Sequence, residues 1–409
     1  MKSKKIHSLT GQITPKLVYE AWRAVRANRG AAGVDKVSVQ MFEKNLQPNL
    51  DRVLREMKDG SFRPKPGRRV YILKSPGKFR PLGIPVVRDR IAQEVLRRLL
   101  SPLFEPRFHQ DSYGFRPGRN AHQAVERVLE HRRQRRTYVV DADIKGCFDH
   151  ISHQAVMFEL ARVVADGNIL RLVERFLKAG VLEDGTVQST HEGTPQGGVF
   201  SPLLANIALN VLDQFLEEHG IHFVRYADDF VILCRTKAQA REALALIGPW
   251  LADRLGLELS PEKTVVTKFR EGFTFLGFDI TSWSVKMRMK SVEKFQTKVR
   301  TLTRRSHNLD AEVLEKLNAV IRGTARYFAT SWSACGNRYR TLDRWIRARI
   351  RCMKLKRKSR ENNRRLRLKH IKRLGLAALQ DFIPSPGRCH SPTGAISAGP
   401  PGSVKYARR

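Results

Sequence analysis

Apolar positions recur every three to four residues in "TPKLVYEAWRAVRANRG", Thr14 to Gly30, and the run ends at a glycine, so the stretch predicts a helix. The same spacing runs through "DRIAQEVLRRLLSPLF", Asp89 to Phe104. Between such helices lie short apolar runs, "YVVDADI" from Tyr138 and "FVILC" from Phe230, which read as strands. Residues 1–61 therefore read as a helical N-terminal extension and 62–285 as mixed helix and strand. From 286 to 383 the pattern is helical and strongly basic, and 384–409, rich in Pro, Gly and Ser, is expected to be a disordered tail. The sum is an α+β chain followed by an all-helical part.

One stretch breaks its own pattern. In "HFVRYADDFVILC", His222 to Cys234, two adjacent carboxylates, Asp228 and Asp229, interrupt an otherwise largely apolar run. They read as the turn of a β-hairpin, since Asp is a common turn residue. They also read as a metal site. Two carboxylates about 4 Å apart repel by about 4 kcal/mol at an effective dielectric near 20, and a divalent cation reverses that repulsion. A second acidic group, Asp141, Asp143 and Asp149, sits in "TYVVDADIKGCFDHISH". Strand alternation puts Asp141 and Asp143 on one face, so one can bind metal while the other is structural.

Charge strengthens the metal reading. Lys and Arg number 76 against 39 Asp and Glu, a formal +37, which calls for a polyanionic partner. No run of some twenty apolar residues exists to span a bilayer, and the basic start is followed by no apolar signal segment, so a cytoplasmic protein without a membrane partner is expected. Five scattered cysteines, Cys147, Cys234, Cys335, Cys352 and Cys389, form no C-x-x-C pair, which argues against a disulfide framework or a zinc site. Cys389-His390 has no further ligands around it.

Separated carboxylates in a basic chain suit nucleotidyl transfer, where two Mg²⁺ ions about 3.5 to 4 Å apart activate a 3′-hydroxyl and stabilise leaving pyrophosphate. "ILKSPGKFRPLGIP" offers Lys74, Lys78 and Arg80 to grip a triphosphate. "SYGFRPGRNAH" sets Arg116 and Arg119 beside Tyr113 and Phe115, a basic and aromatic mixture suited to nucleic acid. "EGTPQGGVFSPLLANIALN" has a glycine pair where backbone can approach a ligand, and "LELSPEKTVVTKFREGFTFLGF" adds Lys263 and Phe275-Leu276-Gly277.

In order, "KFRPLGIP", "SYGFRPGRNAH", "DADIKGCFD", "GTPQGGVFSPLLANI", "YADD", "SPEKT" and "FLGF" resemble the successive blocks of a group II intron reverse transcriptase and maturase. The resemblance implies a right-hand polymerase fold, with fingers and palm over 62–285 and a helical thumb, the maturase domain, over 286–383. It implies an RNA-directed DNA polymerase that binds group II intron RNA, assists its splicing and copies it into DNA. The partners implied are an RNA template with DNA primer, dNTPs and a DNA target; nothing in the sequence indicates the oligomeric state.

Carried over by position, Asp143 and Asp228 resemble the principal ligands of the two Mg²⁺ ions, with Asp229 as the third acid. Lys74 and Arg80 would contact the triphosphate, Gln196 would line the incoming nucleotide, and Lys263 falls where a lysine is proposed to protonate pyrophosphate. Phe148 stands where the family places a ring against the sugar. Phe275, Leu276 and Gly277 resemble the primer grip. In the basic stretch Arg344 to Arg373, half Lys or Arg with Glu361 as its only acid, Arg364, Arg365 and Arg367 are candidate RNA contacts. "KLNAVIRGTARYFATSW" resembles the maturase signature, with Thr324 where a tryptophan is common, and no nuclease domain with paired Cys and His is visible. Two other readings stand beside this one: a related enzyme recruited to defence or repair, and a splicing factor whose polymerase part is scaffold.

Overall fold

The computed structural model describes residues 5–384 apart from Pro76, 189–191, 195–196 and Arg360, and leaves out the side chains of Lys74, Ser75 and Lys78. The chain forms two compact units that divide between Val266 and Thr267, inside the stretch read above as fingers and palm. The expected tail beyond Pro384 falls outside the described residues.

The first unit is built on the helices that the apolar spacing predicts. Thr14 caps the helix Pro15–Ala27 by accepting from Leu17 N at 3.2 Å, and proline at its first position lacks only a donor that would be unsatisfied anyway. Its apolar face buries Val18, Ala21, Trp22 and Val25. Trp22 lies 5.3 Å from Phe42. Both rings share one core with Val95, Leu96 and Leu100 of the helix Val87–Phe104, so the N-terminal extension belongs to this unit's interior.

Its strands, in chain order, are β1 (Gly67–Ser75), β2 (Lys78–Ile84), β3 (Tyr138–Asp143), β4 (Val181–Glu183), β5 (Thr186–Gln188), β6 (Phe223–Tyr226), β7 (Asp229–Cys234) and β8 (Val265–Lys268), the last beginning at the unit's end. They form two four-stranded sheets, β2-β1-β4-β5 and β6-β7-β3-β8. In the second sheet β3 and β7 run antiparallel from Tyr138↔Cys234 to Asp143↔Asp229, and β6 and β7 close a hairpin with Tyr226 opposite Asp229. Val140, Ala142, Phe230 and Ile232 enter the common core, which fixes the register, because a slip of one residue would turn the acids inward.

Under that hairpin sits a fully buried ion pair. Arg225 of β6 donates Nε to Asp213 Oδ1 at 2.7 Å and a second nitrogen to Asp213 Oδ2, and neither side chain has any exposure. Its remaining terminal nitrogen reaches Asn206 Oδ1 at 3.0 Å and Ala227 O, in the hairpin turn, at 2.9 Å. Asp213 and Asn206 both lie on the helix Ser201–Glu218, so one guanidinium ties that helix to the turn.

The second unit begins with a three-stranded antiparallel sheet, β9 (Phe273–Phe275), β10 (Phe278–Ile280) and β11 (Val285–Met287), and continues as the helices Met289–Leu302, Ala311–Phe328 and Gly336–Lys354. Its core includes Phe278, whose ring contacts Tyr327, Phe328 and Trp332 at 5.0 to 5.6 Å. Among the described residues no helix is long and apolar enough to cross a membrane.

Asp213→Ala would leave the Arg225 charge buried and unpaired, and is expected to lower unfolding free energy by about 3 to 5 kcal/mol in a urea titration. Replacing both by apolar residues, Arg225→Met with Asp213→Leu, should recover most of that loss. A double variant as unstable as the single one would show that the charge itself is not the cause.

Candidate active site

The strand register brings the three acids together. Asp143 ends β3 directly across from Asp229, the first residue of β7, and Asp228 is the turn residue before it. Directly opposed residues of an antiparallel pair have Cβ atoms about 4.5 to 5.5 Å apart, and like charges there are destabilising. All three are half-buried. Lys263 already answers part of this charge, with Nζ at 2.6 Å from Asp143 Oδ2. Ser260 N donates to Asp143 O at 2.7 Å, which docks the "SPEKT" turn against the end of β3.

Among the described residues no group of three or more His, Cys, Asp or Glu side chains is gathered closely enough to hold a metal ion, and Asp143 Oδ2 accepts from Lys263. The donor set still fits Mg²⁺ chemically. The ion takes hard oxygen ligands, and a site completed by substrate phosphates asks the protein for only one or two carboxylates. Asp141 shares the half-buried face of β3 with Asp143 and pairs with Val231, a register step away from the tip.

The turn is shaped from outside as well. Ala227 takes φ +60°, a conformation rare for a residue with a Cβ. Gly114 of "SYGF" lies so close that a Cβ on it would come within 2.3 Å of Ala227 N, so only glycine fits. Asn206 Nδ2 donates to Gly114 O at 2.8 Å, and Tyr113 N donates to Arg225 O at 2.8 Å. Beside the acids, Cys147 is buried, and burial followed by the Asp228 charge pushes its thiol well above the usual range.

Phe148, expected against the sugar, lies half-buried after the short turn at Gly146, with the Phe115 ring edge-on at 6.5 Å. Thr194 N donates to Phe148 O at 2.7 Å and Gly193 N to Ile151 O at 2.8 Å, so the loop that leads to Gln196 braces this aromatic. Gln196 itself falls outside the described residues. Arg80 is exposed on β2, opposite Ile72 of β1. The β1–β2 register shifts between Leu73 and Ser75, and the Lys74 side chain lies outside what is described.

Arg116 departs from the nucleic-acid role expected for it. It is buried, donates Nε to Glu105 at 2.9 Å and Nη1 to the carbonyls of His109 and Ser112 at 2.6 and 2.7 Å, and so ties its own loop together. Arg119 is half-buried, with Nη1 on Gln110 O at 2.8 Å and its guanidinium over the Tyr113 ring at 5.1 Å.

In the second unit Phe275 is buried, and Leu276-Gly277 forms the two-residue turn between β9 and β10, with Phe275 opposite Phe278. Both turn residues have positive φ, +49° and +83°, as a type I′ hairpin turn requires. For leucine this costs about 1 to 2 kcal/mol. Tyr327 holds it there, its hydroxyl donating to Leu276 O at 2.9 Å, while Arg288 N donates to Gly277 O at 3.0 Å. Arg364, Arg365 and Arg367 are exposed around the short helix Asn362–Arg365.

Three residues central to this geometry, Arg225, Asp213 and Asn206, are absent from the sequence reading. A visible signal was Arg225 itself, one cation inside the apolar run "HFVRY".

The acidic hairpin, the finger-like β1-β2 hairpin and the glycine-rich loop together define a polymerase palm and fingers. The chain belongs to the reverse transcriptase (RNA-dependent DNA polymerase) family, whose profile matches residues 63–280, more than half of the sequence. Residues 292–373 match the group II intron maturase-specific domain, so the protein is an RNA-directed DNA polymerase of the group II intron kind. It is 35% identical over 316 residues to Protein YkfC of Escherichia coli, covering 67% of this chain and 83% of that one. It is 30% identical over 380 residues to the group II intron-encoded protein LtrA of Lactococcus lactis, covering 76% of this chain and 61% of that one. The solved apo telomerase of Candida tropicalis aligns with a TM-score of 0.49 at 16% identity, over 76% of this chain and 59% of that one, a likeness too distant to argue from.

Leu276→Asn should leave stability nearly unchanged, because relief of about 1 kcal/mol at the left-handed position offsets lost apolar contact. Leu276→Val puts a β-branched residue there and should cost at least about 1 kcal/mol. Denaturation of the two variants side by side tests this, and equal midpoints would remove the strain argument.

Proposed function

We propose that the protein binds the RNA of a group II intron, assists its splicing and copies it into DNA from a DNA primer during intron mobility. The observation that carries the catalytic part is the juxtaposition of Asp143, Asp228 and Asp229 at the end of one sheet, half-exposed and fixed by the buried Arg225. Reverse transcriptases generally use divalent metal ions. Asp143 and Asp228 would hold two Mg²⁺ ions, which when bound lower the pKa of the primer 3′-hydroxyl and offset charge on the leaving pyrophosphate. Asp229, opposite Asp143, adds negative potential that keeps cations at the site.

The chain's own residues do the positioning. Arg80 and Lys74 orient the triphosphate of the incoming dNTP, and Gln196 lines its base. Phe148, backed by Phe115, sets its ring where a 2′-hydroxyl would clash. Lys263, already within 2.6 Å of Asp143, has its ammonium at hand to give a proton to pyrophosphate. Phe275 and the Leu276-Gly277 turn grip the primer. Arg364, Arg365 and Arg367 pair with intron phosphates, and their counterions leave on binding.

Asp228→Asn should cut Mg²⁺-dependent primer extension on an RNA template by orders of magnitude, because metal stabilisation is worth several kcal/mol and about 1.4 kcal/mol is tenfold. Undiminished extension by the folded variant would overturn the assignment.

The triple change of Arg364, Arg365 and Arg367 to Ala should weaken intron RNA binding and flatten its salt dependence, while extension on a short, saturating primer-template survives. Loss of both activities together would mean that RNA recognition and polymerisation are not divided in this way.

A further inference from the structure

The sheet that presents three carboxylates at one end gathers basic side chains at the other. His222 immediately precedes β6, Arg136 lies two residues before β3, and Arg235 immediately follows β7. All three line one cavity of about 480 Å³. From Asp229 to Cys234 the strand rises about 17 Å, so this cavity is separate from the acids. Its apolar wall is made by Ile221, Ala243 and Leu246. Such a volume matches a nucleotide-sized ligand rather than a bare ion.

The charges in the cavity are not balanced by the protein. Arg136 Nη2 lies 2.6 Å from His222 Nε2, so a guanidinium donates to an imidazole that must accept. Burial first, then Arg235 and Arg127, lowers the pKa of Arg136, and burial followed by Arg136 lowers that of His222. The nearby Asp111 is already engaged by Arg127 at 2.7 Å. Among the described residues neither Arg136 nor Arg235 has a carboxylate within ion-pair distance, and Glu242 at the cavity wall is the one acid lining it. His219 lines the same cavity.

Two further features point the same way. The ring of His131 lies 5.5 Å from that of His222 and is buried, and among the described residues neither of its nitrogens has a hydrogen-bond partner. The helix Lys237–Leu255 starts at the cavity, capped by Thr236, and adds the positive end of its dipole there.

We propose that this cavity binds a phosphate of single-stranded RNA between Arg136, Arg235 and His222, with the attached nucleoside lying over Ile221 and Leu246. Just as the opposed acids call for a cation, the repelling cations call for an anion, and the apolar wall gives sugar and base a surface that inorganic phosphate would leave uncovered. The inference rests on the RNA-binding reading given above and adds a contact on the palm to it.

The test uses the full chain and a ten-nucleotide single-stranded RNA carrying 4-thiouridine, with photocrosslinked peptides identified by mass spectrometry. A crosslink within residues 219–246 is expected, and it should fall about tenfold or more in the Arg136→Gln/Arg235→Gln variant. The exposed Arg235→Gln change alone should lower it too, and primer extension should persist in both variants. Adenosine 5′-monophosphate should compete better than inorganic phosphate, whereas equal competition would make this a phosphate site and overturn the RNA assignment. Crosslinks elsewhere with none in 219–246, or a crosslink there that survives both changes, would overturn this inference alone. Crosslinks nowhere would overturn the RNA-binding reading along with it.

Discussion

The geometry of the acidic hairpin depends on one buried guanidinium. Arg225 uses four donor contacts, two to Asp213, one to Asn206 and one to the carbonyl of Ala227, and all lie inside the protein. Burying such a pair brings little net stability, because desolvation offsets most of the attraction. Its effect is on position. The Ala227 carbonyl accepts from Arg225, and the backbone of Gly114 lies so near the Ala227 nitrogen that no Cβ fits between them, while Asn206 donates to the Gly114 carbonyl. Asp228, the next residue, therefore projects from a turn with little freedom to move.

The same sheet separates charge along its length. At one end Asp143, Asp228 and Asp229 repel one another and draw cations, with Lys263 answering part of the field. At the other end Arg136 and Arg235 repel one another, His222 accepts from Arg136, and Glu242 is the one acid lining the cavity. Between the two ends, Phe230 to Leu233 of β7 are apolar and buried, so water does not enter along that strand to screen either field. A single sheet thus offers two sites of opposite sign to one polyanionic ligand and its counterions.

Much of this was legible in the sequence, and the reason differs from residue to residue. The β6-β7 hairpin was legible because two apolar runs flank a pair of turn residues, and the helix Pro15–Ala27 because its apolar face repeats with helical period. The role of Arg116 was not. A cation next to Phe and Tyr has the composition of a nucleic-acid contact, and only the fold reveals that Glu105 and two carbonyls surround it. The role of Arg225 is not legible in the sequence because its partners Asp213 and Asn206 lie 12 and 19 residues away, on a helix whose pattern shows only an apolar face. The basic cavity was equally hidden, since Arg136, His222 and Arg235 are far apart in the chain and meet only when β3, β6 and β7 pair.

In the second unit the governing constraint is backbone strain rather than charge. A leucine at φ +49° persists only where its surroundings over-determine it. Here the surroundings are the end of the helix Ala311–Phe328, which supplies Tyr327 to the Leu276 carbonyl and, with Phe328, packs on Phe278 just past the turn. That helix carries the stretch that resembles the maturase signature, and the turn carries the residues that resemble the primer grip. In this chain one aromatic cluster serves both, so the helix that resembles the maturase signature also sets the conformation of the turn that resembles the primer grip. The departure at Thr324 leaves this cluster untouched, because the contacts to the turn come from Tyr327 and Phe328, on the last turn of the helix.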